Sequence, residues 1–150
     1  MKLIYKGFLI KKINYMLENS PTFKENNVEM KMEKGNIAVS SDKNNNKKSA
    51  ILTLAAEVHR KEKDNNLQSL NVEVDFIFDV VAKDDTFDEE EFSKVARNYA
   101  LSFCLIKLED IVKQITQIDY GGPIIIQDFP FPSDTKLERL SPEEAEKEES

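Results

Sequence analysis

The sequence predicts an α+β domain in which a four-stranded antiparallel sheet is packed by one long helix. Three observations carry this. Leu70, Val72, Val74, Phe76, Phe78 and Val80 alternate with Asn71, Glu73, Asp75 and Asp79, which puts the apolar set on one face of a pleated strand. Beyond Asp88 the apolar residues return every three or four positions, at Phe92, Val95, Ala96, Tyr99 and Phe103, the spacing of a helix that can cover such a face. Residues 61–66 separate this strand from the apolar segment before it, a link that suits an antiparallel hairpin and is too short for a parallel crossover. Strands first and a helix after them argue against a βαβ repeat.

The first strand covers residues 3–17, but neither face is cleanly apolar. Leu3, Tyr5, Leu9, Ile13 and Tyr15 share one parity, and Ile4, Phe8 and Ile10 the other. Cover on both faces for part of the length, or a bulge near Gly7, accounts for the mixture. Pro21 stops regular pairing in the loop of residues 19–27, with Phe23 exposed or tucked beneath it. A second strand sets Val28, Met30 and Met32 against Glu29, Lys31 and Glu33, is interrupted at Gly35-Asn36, and resumes over residues 37–40. After a polar connection, a third strand over residues 50–60 puts Leu52, Leu54, Ala56 and Val58 on one face and Thr53, Glu57 and His59 on the other. Residues 67–81 form the fourth.

Asp88 followed by Glu91 is a capping-box-like helix start, and Glu89, Glu90 and Glu91 suit the positive end of the helix dipole. Residues 84–91 lack the ligand spacing and central glycine of a calcium loop. The helix, from residue 89 to about 118, carries two stripes: the one beginning at Phe92, and a second of Leu101, Cys104, Leu105, Leu108, Ile111, Val112, Ile115 and Ile118. Where they overlap, over residues 100–106, the surface is apolar nearly all round. Either the helix kinks near Asn98-Tyr99 or a second subunit covers the remaining face, and self-association is the favoured reading. Gly121-Gly122-Pro123 ends the helix, and residues 124–131 are an apolar extended stretch. Residues 133–150 hold seven acids against three bases and few aliphatics, which predicts a disordered acidic tail after a domain of residues 1–132.

A chain of 150 residues fits one domain and buries roughly 70% of its unfolded surface. Its 33% charged share and net charge of −7 leave no clustered basic surface for nucleic acid, because Lys43, Lys47 and Lys48 are threaded through asparagines in a solvated turn. No apolar run is long enough to span a bilayer, and Lys2 and Lys6 break the N-terminus, so we expect no signal peptide and a cytosolic protein. Cys104, the one cysteine, sits in an apolar run and is expected to be buried and inert. His59 is the one histidine and is expected on the surface. The Cys-His, zinc and haem constellations are therefore missing, and so is a glycine-rich phosphate loop before a helix. Glu73, Asp75 and Asp79 share a strand face without an apolar pocket to raise a pKa. The reading is a protein that is not an enzyme and needs no cofactor. Its distinctive chemistry is apolar surface in loops, at Phe23 and over residues 124–131.

Three segments resemble the SecB family of protein-export chaperones. Lys11-Lys12-Ile13-Asn14-Tyr15 with Glu18-Asn19-Ser20-Pro21-Thr22-Phe23 is similar to the family's first strand and crossover. Leu70-Asn71-Val72-Glu73-Val74 is similar to its central strand. Asn98-Tyr99 onward, with Gly122-Pro123 and Pro130-Phe131, is similar to its main helix and the loop after it. The resemblance covers about residues 3–132. It implies a homotetramer, with a dimer as the smaller option, that holds unfolded precursor proteins or a single cognate client in hydrophobic grooves without ATP. It places Phe23, Leu101, Phe103, Leu105, Ile124, Ile126, Phe129 and Phe131 at the client surface, although Leu101, Phe103 and Leu105 equally suit core or subunit contacts. The acids that such chaperones use on the first strand to dock the translocase ATPase fall here at about Lys12 and Met16, which argues against that partner, while Glu73 keeps an acid on the central strand. The family's second helix is expected to be short or absent. The competing reading is an oligomeric adaptor that binds one folded partner through an acidic sheet face at Glu73 and Asp75.

Overall fold

The computed structural model describes residues 1–18, 27–42, 44–45, 47–83, 86–117, 124–126 and 137–149. Strands β1 (Lys2–Leu17), β2 (Asn27–Ser41), β3 (Lys48–Glu62) and β4 (Asn65–Val81) come first. Helix α1 (Glu89–Val95), a π-helical segment (Ala96–Ala100) and helix α2 (Leu101–Thr116) follow, then β5 (Glu138–Arg139) and helix α3 (Pro142–Glu149). The sheet order is β1-β4-β3-β2-β5, antiparallel throughout except that β5 runs parallel to β2.

One expectation is corrected: among the described residues the sheet has five strands and is mixed. The second helix, expected to be short or absent, is present and short. The cause of the helix is local: Ser141 Oγ accepts the Glu144 N–H at 3.3 Å while Glu144 returns a carboxylate oxygen to the Ser141 N–H at 2.9 Å, and Pro142 fills the first helical position.

β1 explains its mixed parity. Its register against β4 slips twice, once between Tyr5 and Gly7 and once between Ile10 and Lys12. Each extra residue flips the side chains that follow to the other face. Leu3, Tyr5, Phe8, Ile10, Ile13 and Tyr15 therefore all pair with inward residues of β4. The looped-out residues, Lys6 and Lys11, reach Asp79 at 3.5 Å and Asp75 at 3.7 Å. A third slip, at Glu33 of β2, plays the same part: Met30 and Met32 before it, and Ile37 and Val39 after it, all pack toward the core. β3 and β4 are linked by a two-residue turn with Lys63 at φ 55.

The helix resolves its two stripes in the same way. Asp88 caps α1, its carboxylate accepting the N–H groups of Glu90 and Glu91. The π segment spans the predicted kink site, and there the Leu101 N–H bonds back to the Ala96 carbonyl, five residues earlier. One extra residue per turn rotates everything beyond it by about 100°, given 3.6 residues per turn. That rotation brings Leu101, Cys104, Leu105, Leu108, Ile111 and Val112 onto the face already occupied by Phe92, Ala96 and Ala100, and all of these are buried. They pack on Leu52, Leu54, Val58, Leu70, Val74 and Phe76, each at 0% exposure, in the core over β3 and β4.

Gly7 sits in the first bulge at φ 152, a conformation that L side chains rarely adopt, with nothing within 4 Å of where a Cβ would stand. Gly7→Ala should therefore cost about 1–3 kcal/mol through backbone strain alone. The measurement is the urea midpoint; an unchanged midpoint would show that the bulge can be rebuilt without glycine.

Candidate functional site

α1, the π segment and α2 cover β3 and β4 but stop short of β1. Phe8 pairs with Phe76, Ile10 with Val74 and Ile13 with Val72, so all three point to the helix side of the sheet, yet they remain 43%, 39% and 47% exposed. Leu17, paired with Gln68, continues the row and is also exposed. Across from the start of β1, Tyr99 and Phe103 lie on the helix flank, four residues apart, and are exposed as well. The Phe103 ring bridges the two sides, 4.8 Å from Tyr5 and 6.5 Å from Phe78. Lys107 lies over the rings of Tyr5 and Phe103 at 5.9 and 5.6 Å, so its stem lines the wall while its charge stays at the rim. The result is an apolar trough with β1 as floor and the helix flank as wall. At its head it deepens into a cavity of about 650 Å³ walled by Met1, Leu3, Tyr5, Phe78, Val95, Tyr99, Ala100 and Phe103.

Of the described residues that the sequence and its resemblance placed at a client surface, Phe103 alone stands in this trough. Leu101, Leu105, Ile124 and Ile126 are at most 5% exposed and belong to this chain's own core. Phe23, Phe129 and Phe131 lie outside the described residues. The short segment 124–126 is fixed by Thr116: its buried hydroxyl donates to the Val112 carbonyl at 2.8 Å and accepts the Ile124 N–H at 2.7 Å. That clamp turns Ile124 and Ile126 inward and leaves Ile125 at 53% exposure. Phe8, Ile10, Ile13, Leu17 and Tyr99 were missed. The available signal was the mixed parity of β1, which counts as one apolar face only if two bulges are assumed.

The opposite face of the sheet is polar but balanced. Glu73 faces Lys34 at 3.5 Å. Asp75 accepts the Thr53 hydroxyl at 2.6 Å and faces Lys11. Lys34 also reaches Glu148 of α3 at 3.2 Å; burial alone would lower its pKa, but the hydrogen bonds and charges of Glu148 and Glu73 raise it. Farther along, His59 Nε2 lies 2.6 Å from Glu57 and Nδ1 2.9 Å from Ser69 Oγ, which donates to Glu18 at 3.0 Å. The hydrogen bond to His59 holds the Glu57 carboxyl below its ordinary pKa. Cys104 is buried, and desolvation pushes its thiol far above the usual range. No metal-ligating cluster occurs among the described residues, and no described helix is long and apolar enough to cross a membrane.

No family model matches the chain, and no curated protein matches its sequence. Among solved structures, the Mycobacterium tuberculosis SecB-like chaperone Rv1957, in complex with a ChAD peptide from the Rv1956 HigA1 antitoxin, matches with a TM-score of 0.64. The two are 12% identical, over 85% of this chain and 90% of that one. A protein of unknown function from Streptococcus agalactiae gives a TM-score of 0.45 at 13% identity, over 86% of this chain and 98% of that one. The first match shows that the fold is SecB-like.

Thr116→Val keeps the side-chain shape but strands the buried Ile124 N–H. We expect a loss of about 1–3 kcal/mol in urea unfolding. Increased hydrogen exchange at the Ile124 amide would place the defect there, and a loss below about 0.5 kcal/mol, no more than a surface substitution produces, would count against the clamp.

Proposed function

We propose that this chain is an ATP-independent chaperone that holds unfolded polypeptide in the trough between β1 and the helix flank. The single observation that carries the reading is an apolar row, Phe8, Ile10, Ile13 and Leu17, left exposed on the core-facing side of the sheet with the half-buried Tyr15 between the last two. Monomeric soluble proteins seldom leave large apolar patches open without a binding role. The SecB-like fold, shared with a chaperone solved on a peptide, supports the same reading. The work done is binding, with no catalysis and no cofactor, on precursors or a cognate client in the cytosol.

Self-association belongs to the same proposal. β1 pairs with β4 on one side, and its other edge has no strand partner among the described residues; beside it Ile4, Leu9 and Met16 are 49%, 60% and 52% exposed on the outer face. A second copy that covers this edge would remove the liability of an open strand and leave the trough accessible. We propose a dimer or tetramer on this basis. Docking of an export ATPase is not part of the proposal: Lys12 and Met16 stand where acids would be needed. The adaptor reading is weakened because Glu73 and Asp75 are each matched by a lysine.

Light scattering on a size-exclusion column tests the proposal, run with and without a chemically unfolded model protein. We expect an oligomer that co-elutes with the unfolded chain and delays its aggregation. Phe8→Asp and Phe103→Asp should each weaken this at least tenfold, since one lost aromatic contact is worth about 1.5–3 kcal/mol. A protein that ignores unfolded chains, or whose binding follows Glu73→Lys and Asp75→Lys instead, would replace the chaperone with an adaptor.

A further inference from the structure

The edge of the sheet opposite β1 is not bare. Residues 137–149 fold back onto β2 as a small arm. β5 adds to β2 in parallel through two residue pairs, Asn36 with Glu138 and Ile37 with Arg139, and the Leu140 N–H bonds to the Ile37 carbonyl at 2.9 Å. Three side chains give this strand an identity. Leu137 packs against the core. Arg139 lies with its guanidinium 5.5 Å from the centre of the Phe92 ring and 3.4 Å from a Glu89 carboxylate oxygen. Glu148, from the helix that follows, meets the Asn36 amide at 3.3 Å.

We propose that the β2 edge, with Glu89 and Phe92 at its rim, is a docking site for an extended segment of another polypeptide with the pattern apolar–any–Arg–apolar, and that residues 137–140 are its resident occupant. The pattern is read from the occupant. The backbone ladder supplies affinity without sequence, the core-facing position takes a leucine-sized side chain, and Arg139 shows that a guanidinium fits between an aromatic face and a carboxylate. An occupant that can leave is implied by its grip: β5 pairs with two of the fifteen residues of β2, and the arm's ion pairs, Arg139–Glu89 and Lys34–Glu148, reach the surface, each partner about a third exposed or more. Contacts of that kind contribute little. An incoming strand could pair along more of β2 and displace the arm, although the tethered arm competes at the high effective concentration of an intramolecular ligand. This site lies across the sheet from the trough and does not depend on the chaperone reading.

The test is fluorescence anisotropy with a labelled synthetic peptide of residues 134–141, titrated with the full chain. Three proteins are compared: the unaltered chain, a Leu137→Asp/Arg139→Glu variant whose arm is disabled, and that variant with Glu89→Arg added. We expect the peptide to bind the arm variant at least tenfold more tightly than the unaltered chain. Glu89→Arg should cost about two- to fivefold, the size of an exposed ion pair, and a peptide carrying Arg139→Glu should recover the loss. Arg139→Ala alone, a milder surface change, should show the first effect in smaller measure if the double variant fails to fold. Equal affinity for the armed and arm-disabled chains, no binding to either, or no response to the charge swap would overturn the proposal. So would an oligomer of the unaltered chain that dissociates on Arg139→Glu, because the edge would then hold a second copy's arm.

Discussion

A mismatch between two layers governs this molecule. Four strands about 4.8 Å apart present a face nearly 20 Å wide, whereas a helix with its side chains is about 10–12 Å across. One helical layer therefore cannot cover the sheet. The helices settle over β3 and β4, where the apolar side chains are buried almost completely, and the deficit falls on the flanking strands. On the β2 side, Leu137 of the arm adds cover. On the β1 side nothing among the described residues does, and the row from Phe8 to Leu17 stays open.

The π segment decides which helix residues meet that deficit. Without its extra residue, α2 would present a surface rotated by about 100°, and Leu101, Leu105 and Leu108 would leave the sheet. With it, the buried stripe runs unbroken from Phe92 to Val112 and the flank toward β1 carries Tyr99 and Phe103. The overlap of stripes that the sequence assigned to a subunit contact is thus largely consumed within the chain. What remains for a partner or client is that flank.

Legibility followed regularity. β3 and β4 could be read from alternation alone because their pairing registers run without a slip over their apolar stretches. β1 could not, since its two bulges each reverse the parity and a period-two count averages them away. The helix start was legible at Asp88 because a cap is a local signal; the reciprocal Ser141–Glu144 hydrogen bonds are the same kind of signal, in a segment read from its composition alone. Leu101 and Leu105 show the limit for the site. Their apolar character was plain, but whether such a residue faces a core or a groove depends on the helix phase, which one π turn resets. Glu73 and Asp75 illustrate the matching problem on the polar face: their partners Lys34 and Lys11 come from other strands and are invisible to any local window.

The trough also sets what kind of ligand it could serve. Burying one apolar side chain contributes about 1.5–3 kcal/mol, while association costs an estimated 4–15 kcal/mol in lost freedom. A single exposed leucine on a folded protein cannot meet that cost. Three or four apolar side chains within one flexible stretch can, and they are available together mainly in chains that have not yet folded. Among the described residues the floor of the trough is Phe, Ile and Leu with the half-buried Tyr15 between them, and the charges beside it are Lys107 at the rim and Lys2 at the head cavity. Discrimination on the proposed reading would come from how many apolar residues a segment exposes at once. A long open row along a strand measures that number, and a deep enclosed pocket would not.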